Sequence, residues 1–203
     1  MIKAVLLDLD DTLIKSSTED FFPTYLKRLG HHASTLAPPE QFVGQLMHSF
    51  GETLAQDEPT RPLYPRVMER FAGESGHALA TLEPLFERFY NDQFVALRDW
   101  IQPPAESREL LHWLFDKGYA VIVATNPGLP QAAIFHRMRW GDVAPEDYDF
   151  DMITTLETMH FGKPRPEYYA EIILRLDVDP HEAIMVGDDW EADLVGAAEV
   201  GLH

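Results

Sequence analysis

The chain has 203 residues, 45% hydrophobic and 25% charged, values ordinary for a globular protein and contrary to global disorder. It carries 34 acids against 16 Lys and Arg, and the resulting formal charge of −18 argues against nucleic acid or an anionic membrane as partner. Cysteine is absent, which excludes disulfides, thiolate zinc sites and a cysteine nucleophile.

The first apolar stretch, Ile2 to Leu9, reads as a buried strand. Asp8 and Asp10 interrupt it too early for a secretory signal, and no apolar run reaches the roughly 18 residues of a membrane span. A cytoplasmic location is therefore expected. From about Lys15 to Trp100 no strand is legible. Amphipathic helix patterns run over Phe21 to Leu29, Gln41 to Leu54, Tyr64 to Phe71 and Leu79 to Leu97, with breaks at Pro38-Pro39, Pro59 to Pro62 and Pro103-Pro104. This segment reads as a helical insert between the first and second strands of a core.

Beyond it the pattern changes. Ala105 to Lys117 has Leu110, Leu111, Leu114 and Phe115 at helical spacing, and Gly118 stops it. Tyr119 to Thr125, Phe150 to Thr155 and Ala183 to Gly187 read as three more buried strands. Helices are expected over Leu129 to Met138, from Pro166 past Leu176, and over Trp190 to Val200 before Gly201. Strands alternating with helices indicate an α/β fold with a parallel sheet. The chain has neither an internal repeat nor a low-complexity segment.

Open parallel sheets bind ligands beyond the carboxyl ends of their strands. Here the first strand runs into Asp8-Leu9-Asp10-Asp11-Thr12, the second ends at Thr125-Asn126, and the fourth ends at Asp188-Asp189 with Asp193 close behind. Asp ending a single strand would be ordinary turn chemistry, but three strand ends deliver polar groups to one edge. Carboxylates packed in a partly dry site repel by several kcal/mol as an order of magnitude, unless a cation or proton intervenes. Mg2+ is hard, prefers oxygen and suits such a cluster. Lys163, stiffened by Pro164 and Pro166, would add local positive charge that an acidic chain needs if its substrate is anionic.

These residues resemble the haloacid dehalogenase superfamily of phosphohydrolases over the whole chain. Its four motifs stand in order at Asp8-Leu9-Asp10-Asp11-Thr12, at Thr125, at Lys163, and at Gly187-Asp188-Asp189 through Asp193. The resemblance implies a Rossmann-like parallel core, residues 1–15 and 101–203, and an α-helical cap, residues 16–100. It implies hydrolysis of a small phosphorylated metabolite with Mg2+ as cofactor. Asp8 would attack phosphorus, forming an aspartyl-phosphate, and would bind the metal. Asp10 would be general acid and base and lend its backbone carbonyl to the metal. Thr125 and Lys163 would hold phosphate oxygens, with the backbone amide of Asn126. Asp188 would complete the metal site, supported by Asp193 and Asp189.

The chain departs from that pattern at Asp11, where many members have glycine, and after Gly201, where members usually continue into one more core strand. A sheet edge left exposed there is the expectation. A phosphomutase would use the same motifs and stays open. A dehalogenase of this family would lack an acid at Asp10, and a non-catalytic module would have lost a motif residue. His31-His32 read as a solvated helix end. The four tryptophans, Trp100, Trp113, Trp140 and Trp190, read as packing residues, with Trp190 beside the site. Arg61 and Arg66 in the insert could contact a second anion on the substrate but read as surface residues.

Overall fold

A computed structural model describes the backbone of residues 1–16 and 18–203, and the side chains of all but residues 17–20. Strands β1 (Ala4–Leu7), β4 (Ala120–Val123), β5 (Met152–Ile153) and β6 (Ala183–Val186) form one parallel sheet in the order β5-β4-β1-β6. Each is shorter than its apolar run, although flanking residues still bond to the neighbouring strands: Lys3 donates to the Glu182 carbonyl at 2.7 Å and Ala124 to the Leu7 carbonyl at 2.7 Å. All four residues of β1 are buried, as a central strand covered on both faces requires. Leu7 pairs with Val123 on one side and Val186 on the other, so three strands end at one level.

The insert leaves and returns on a short antiparallel ribbon, β2 (Lys15–Ser16) with β3 (Ile101–Gln102). Between them lie α1 (Thr18–His32), α2 (Pro39–Leu54), α3 (Leu63–Ser75) and α4 (Leu79–Arg88). The helix expected to run unbroken to Leu97 does not. It widens into a π turn over Phe89–Gln93 and tightens into a 3-10 helix over Phe94–Trp100. The extra residue of the π turn advances the apolar stripe by one, so Phe94 is fully buried while Gln93 is exposed. Phe89, Tyr90 and Phe94 then pack around Tyr25 of α1, with ring centroids 5.9, 6.5 and 5.9 Å from it.

The insert is tied to the core at a second place. The N-terminus of α3 follows Pro62 and has no side-chain cap. Its first N–H groups, on Leu63 and Tyr64, instead donate to the carbonyls of Met159 and Leu156 at 2.8 Å each.

The rest of the core holds α5 (Ala105–Asp116), α6 (Gln131–Trp140), α7 (Pro166–Leu176), and a π turn (Trp190–Val195) that runs into α8 (Gly196–Val200). Gly118 and Gly201 take φ of 74° and 102° where helices stop, the left-handed conformation that favours glycine. The edge expected to lie open beside β6 is partly paired. Leu202 is buried, and His203 donates to the Ala183 carbonyl at 3.0 Å and accepts from Met185 at 2.9 Å.

Three of the four tryptophans are not core residues: Trp190 is 72% exposed, Trp113 50% and Trp100 37%. Trp140 does pack, stacked on Phe94 at 5.5 Å. Among the described residues, no helix is long and apolar enough to cross a membrane.

Candidate active site

The β1 ladder carries Asp8 to the sheet edge. Its N–H donates to the Val186 carbonyl at 2.9 Å, locking it to the neighbouring strand. The chain then folds back sharply. Leu13 and Ile14 donate to the Leu9 carbonyl at 3.0 and 2.9 Å, and Leu9, Leu13 and Ile14 are fully buried. Asp11 sits within this turn at φ 54°, a left-handed conformation that Asp tolerates better than most residues. A glycine would sit there without strain, so the departure at Asp11 has a conformational explanation. Its carboxylate accepts from the Ser16 N–H at 3.1 Å, closing the turn.

Lys163 is brought to Asp8 from the segment before α7. Its side chain is 1% exposed, and its ammonium donates to Asp8 Oδ1 at 2.7 Å and also to Asp193 Oδ1. Asp193 is itself 1% exposed and accepts from the Asp189 N–H at 3.1 Å through its other oxygen. Gly187 makes room for it: a Cβ there would lie 2.1 Å from Asp193 Oδ2. Asp189 turns its carboxylate to the turn that follows, accepting from the N–H groups of Glu191 and Ala192 at 2.9 and 2.8 Å. That is helix capping.

One carboxylate oxygen each from Asp8, Asp188 and Asp193 lie within 4.8 Å of one another. Burial pushes the Asp8 carboxyl up to about 6; Lys163 pulls it down, and the Asp193 charge pushes it up further. Asp188 is also raised, first by burial and then by the charges of Asp193, Asp11 and Asp189. Lys163 alone therefore leaves negative charge uncompensated. An all-oxygen donor set with surplus negative charge fits a hard divalent cation.

Thr125 is buried at the end of β4, and its carbonyl is held by the hydroxyls of Tyr168 at 2.9 Å and Thr154 at 2.7 Å. Asn126 follows, exposed, with its carbonyl accepting from Gly128 at 2.7 Å. Thr125, Asn126, Lys163, Asp8, Asp10 and Asp188 all line one cavity of about 650 Å3 between the sheet edge and the inserted helices.

The carboxylate of Asp10 is not part of the Asp8–Asp188–Asp193 cluster. It accepts from the Ser16 hydroxyl and from the guanidinium of Arg137. Arg137 lies on the buried face of α6 with Ala133, Ile134 and Met138, its guanidinium centre 4.8 Å from the Phe21 ring centroid. Burial pulls its pKa down to about 10, against the opposing pull of Asp8. Sequence reasoning missed Arg137. The signal was there: a basic residue at an apolar-face position of a helix must find a partner.

The chain matches the haloacid dehalogenase-like hydrolase family over residues 2–201. A glyceraldehyde 3-phosphate phosphatase of Methanothermobacter thermautotrophicus is 24% identical over 100% of this chain and 84% of its own. A ribulose-1,5-bisphosphate 5-phosphatase of Halopiger xanaduensis is 28% identical over 100% and 83%. Among solved structures, a 2-haloacid dehalogenase of Pseudomonas syringae superposes with a TM-score of 0.63 at 26% identity, covering 100% of this chain and 84% of that one. The parallel core and the ordered strand-end residues agree with that match, and the chain belongs to the haloacid dehalogenase-like hydrolase family.

Proposed function

We propose that this hydrolase is a Mg2+-dependent phosphate-monoester phosphatase acting on a small phosphorylated metabolite through an aspartyl-phosphate on Asp8. The carrying observation is the buried contact of Lys163 with Asp8 and Asp193, with Asp188 beside them beneath a cavity. A lysine and a divalent cation at one point can neutralise the phosphate oxygens that a carboxylate nucleophile must approach. The glyceraldehyde 3-phosphate and ribulose-1,5-bisphosphate phosphatases among the relatives support phosphoester cleavage.

In this reading Asp8, Asp188 and the backbone carbonyl of Asp10 hold Mg2+, which supplies charge neutralisation for the phosphate; Asp193 positions Lys163 and the neighbouring loop. Lys163, Thr125 and the Asn126 amide hold phosphate oxygens. Asp8 attacks phosphorus, the bond to the leaving oxygen breaks, and Asp10 donates a proton to that oxygen. Water then attacks the phosphorus of the aspartyl-phosphate and gives its proton to Asp10, releasing inorganic phosphate and free Asp8. Arg137 and Ser16 engage the Asp10 carboxylate, so the acid–base role requires those contacts to yield to the leaving oxygen.

A halide would leave without a proton, so an acid at Asp10 favours the phosphatase over dehalogenation. Residues 16–100 act as a cap over a core of 1–15 and 101–203, turning about Ile14 to Ser17 and Trp100 to Pro104 to exclude water during attack. Ser17 itself lies outside the described residues. Opening has to break the bonds from Leu63 and Tyr64 to the core loop.

The test is phosphate release by purified protein on a panel of phosphorylated metabolites, with Mg2+ and with chelator. Mg2+-dependent release is expected. Turnover undiminished in metal-free buffer removes the mechanism, and an isomerised phosphorylated product without free phosphate makes the enzyme a mutase.

A further inference from the structure

The cavity that ends on Lys163 is walled, on the side of the inserted helices, by apolar and aromatic side chains. Phe22 and Tyr25 come from α1, Leu46 and Phe50 from α2, Phe86 from α4 and Tyr90 from the π turn after it. The charged groups on that wall are acids: Glu83 and Glu87 on one face of α4, with Glu157 opposite from the core. Their field reaches inward, for the Tyr64 hydroxyl is raised first by burial and then by Glu83 and Glu157.

Among the described lining residues, the basic side chains are Lys163 and Arg137, and both are taken up at the floor. The side chains of residues 17–20 include no base. The inserted helices do carry arginines, but the two candidates for a second anion, Arg61 and Arg66, are engaged elsewhere. Arg66 spends its guanidinium on the carbonyls of Thr53, Glu58 and His160 at 3.1, 3.2 and 3.1 Å, and Arg61 pairs with Glu69 at 2.6 Å.

We infer that the leaving group is an aromatic or comparably apolar alcohol carrying no second anionic group. This rests on the phosphatase reading and narrows its substrate. A second phosphate or a carboxylate, seated beside Glu83 and Glu157 against an apolar wall, would lose its water and meet like charge with no cation to answer it. An aromatic ring gains by burial against Phe22, Phe50 and Phe86. The volume of about 650 Å3 holds a phosphate and a ring together. The inference separates this chain from the bisphosphate substrate named for one of its relatives.

The experiment measures kcat/KM with Mg2+ for phenyl phosphate, 4-carboxyphenyl phosphate, O-phosphotyramine, pyrophosphate and fructose 1,6-bisphosphate. Acetyl phosphate, whose leaving group is too small to sample the wall, reports the chemistry alone. Phenyl phosphate and O-phosphotyramine should exceed the carboxylated ester and both diphosphorylated compounds by at least about tenfold. Glu83→Lys, at an exposed helix position, should narrow the gap between the neutral and carboxylated esters.

Equal or better use of the carboxylated ester, pyrophosphate or the bisphosphate overturns the inference while leaving the phosphatase standing. Loss of turnover on every compound, acetyl phosphate included, overturns the phosphatase. Calorimetric binding of phenylphosphonate against 4-carboxyphenylphosphonate then decides the pocket's preference: tighter neutral binding supports it, and equal or reversed affinities overturn it.

Discussion

Replacing Lys163 by Met tests the electrostatic core of the site. The substitution keeps most of the buried stem and removes the ammonium that contacts both Asp8 and Asp193. Three carboxylates within 4.8 Å of one another are then left without their buried counter-charge. Two unit charges at that separation repel by about 3 kcal/mol at an effective dielectric near 20, and breaking a buried pair by removing one partner typically costs about 3–5 kcal/mol. Protonation caps the loss. Asp8 already sits near 6 with Lys163 beside it, and without the lysine it moves further up and takes a proton near neutral pH. A raised carboxyl binds its proton more tightly in the folded chain, so the penalty is present at high pH and fades as pH falls through the folded value. Lys163→Met should therefore lose about 3 kcal/mol at pH 8 and much less at pH 5. For a chain of this length that is roughly 6–12 °C in melting temperature. Mg2+ should recover part of the loss, since it supplies the missing positive charge. The assay is thermal unfolding of wild type and variant at both pH values, with Mg2+ and with chelator. A melting temperature within about 2 °C of wild type at pH 8 in chelator would refute the reasoning.

Asp10→Asn should lower phosphate release by at least about 10²-fold, since it cannot give or take the proton, while Mg2+ affinity stays near wild type because the backbone carbonyl is unchanged. Asp8→Asn should abolish the phosphoenzyme; near-normal turnover by either variant would remove its assigned role. Because Asp8 is raised to about 6, Mg2+ must displace a proton below that pH, so its apparent affinity should be flat above about pH 6.5 and fall up to about tenfold per unit below it. Titration calorimetry between pH 5 and 8 checks this, and a pH-independent affinity would sink it. Gly187→Ala places a Cβ against Asp193 and should displace that carboxylate, cutting activity more than stability; unchanged phosphate release would mean that the Asp193 position does not matter.

The strand ends were legible because β1, β4 and β6 are short apolar runs that stop abruptly at Asp, Thr and Asp, and a parallel sheet sends such stops to one edge. What escaped has physical causes. The π turn after Arg88 has no glycine or proline to announce it, and only the buried Phe94 beside the exposed Gln93 reveals the slipped stripe. Lys163 was assignable to the site, but its second partner was not. Asp193 reaches it only because Gly187 has no side chain, a three-dimensional fit that spacing along the chain does not encode. Arg137 was hidden by a helix of mixed sequence, His136-Arg137-Met138-Arg139, in which one arginine faces inward and the other pairs with Glu146 at the surface. Trp113 and Trp190 misled for the opposite reason: large apolar side chains are common at the surface as well as in the core.

The charge of −18 posed a difficulty for an enzyme whose substrate is an anion. The site answers it by placing positive charge where phosphate is expected and, among the described lining residues, nowhere else along the cavity: Lys163 and Arg137 lie at the floor, and acids line the approach. An acidic field raises the local concentration of divalent cations, which favours loading of the carboxylate cluster, and it repels free anions in proportion to their charge. A compound with one phosphate meets one unfavourable approach and one favourable seat. A compound with two meets the same seat with a second charge left among Glu83, Glu87 and Glu157. In the proposed reading the global acidity and the local lysine thus act in the same direction, admitting the singly phosphorylated molecule with no second anion and discriminating against its more anionic relatives before any contact with Asp8.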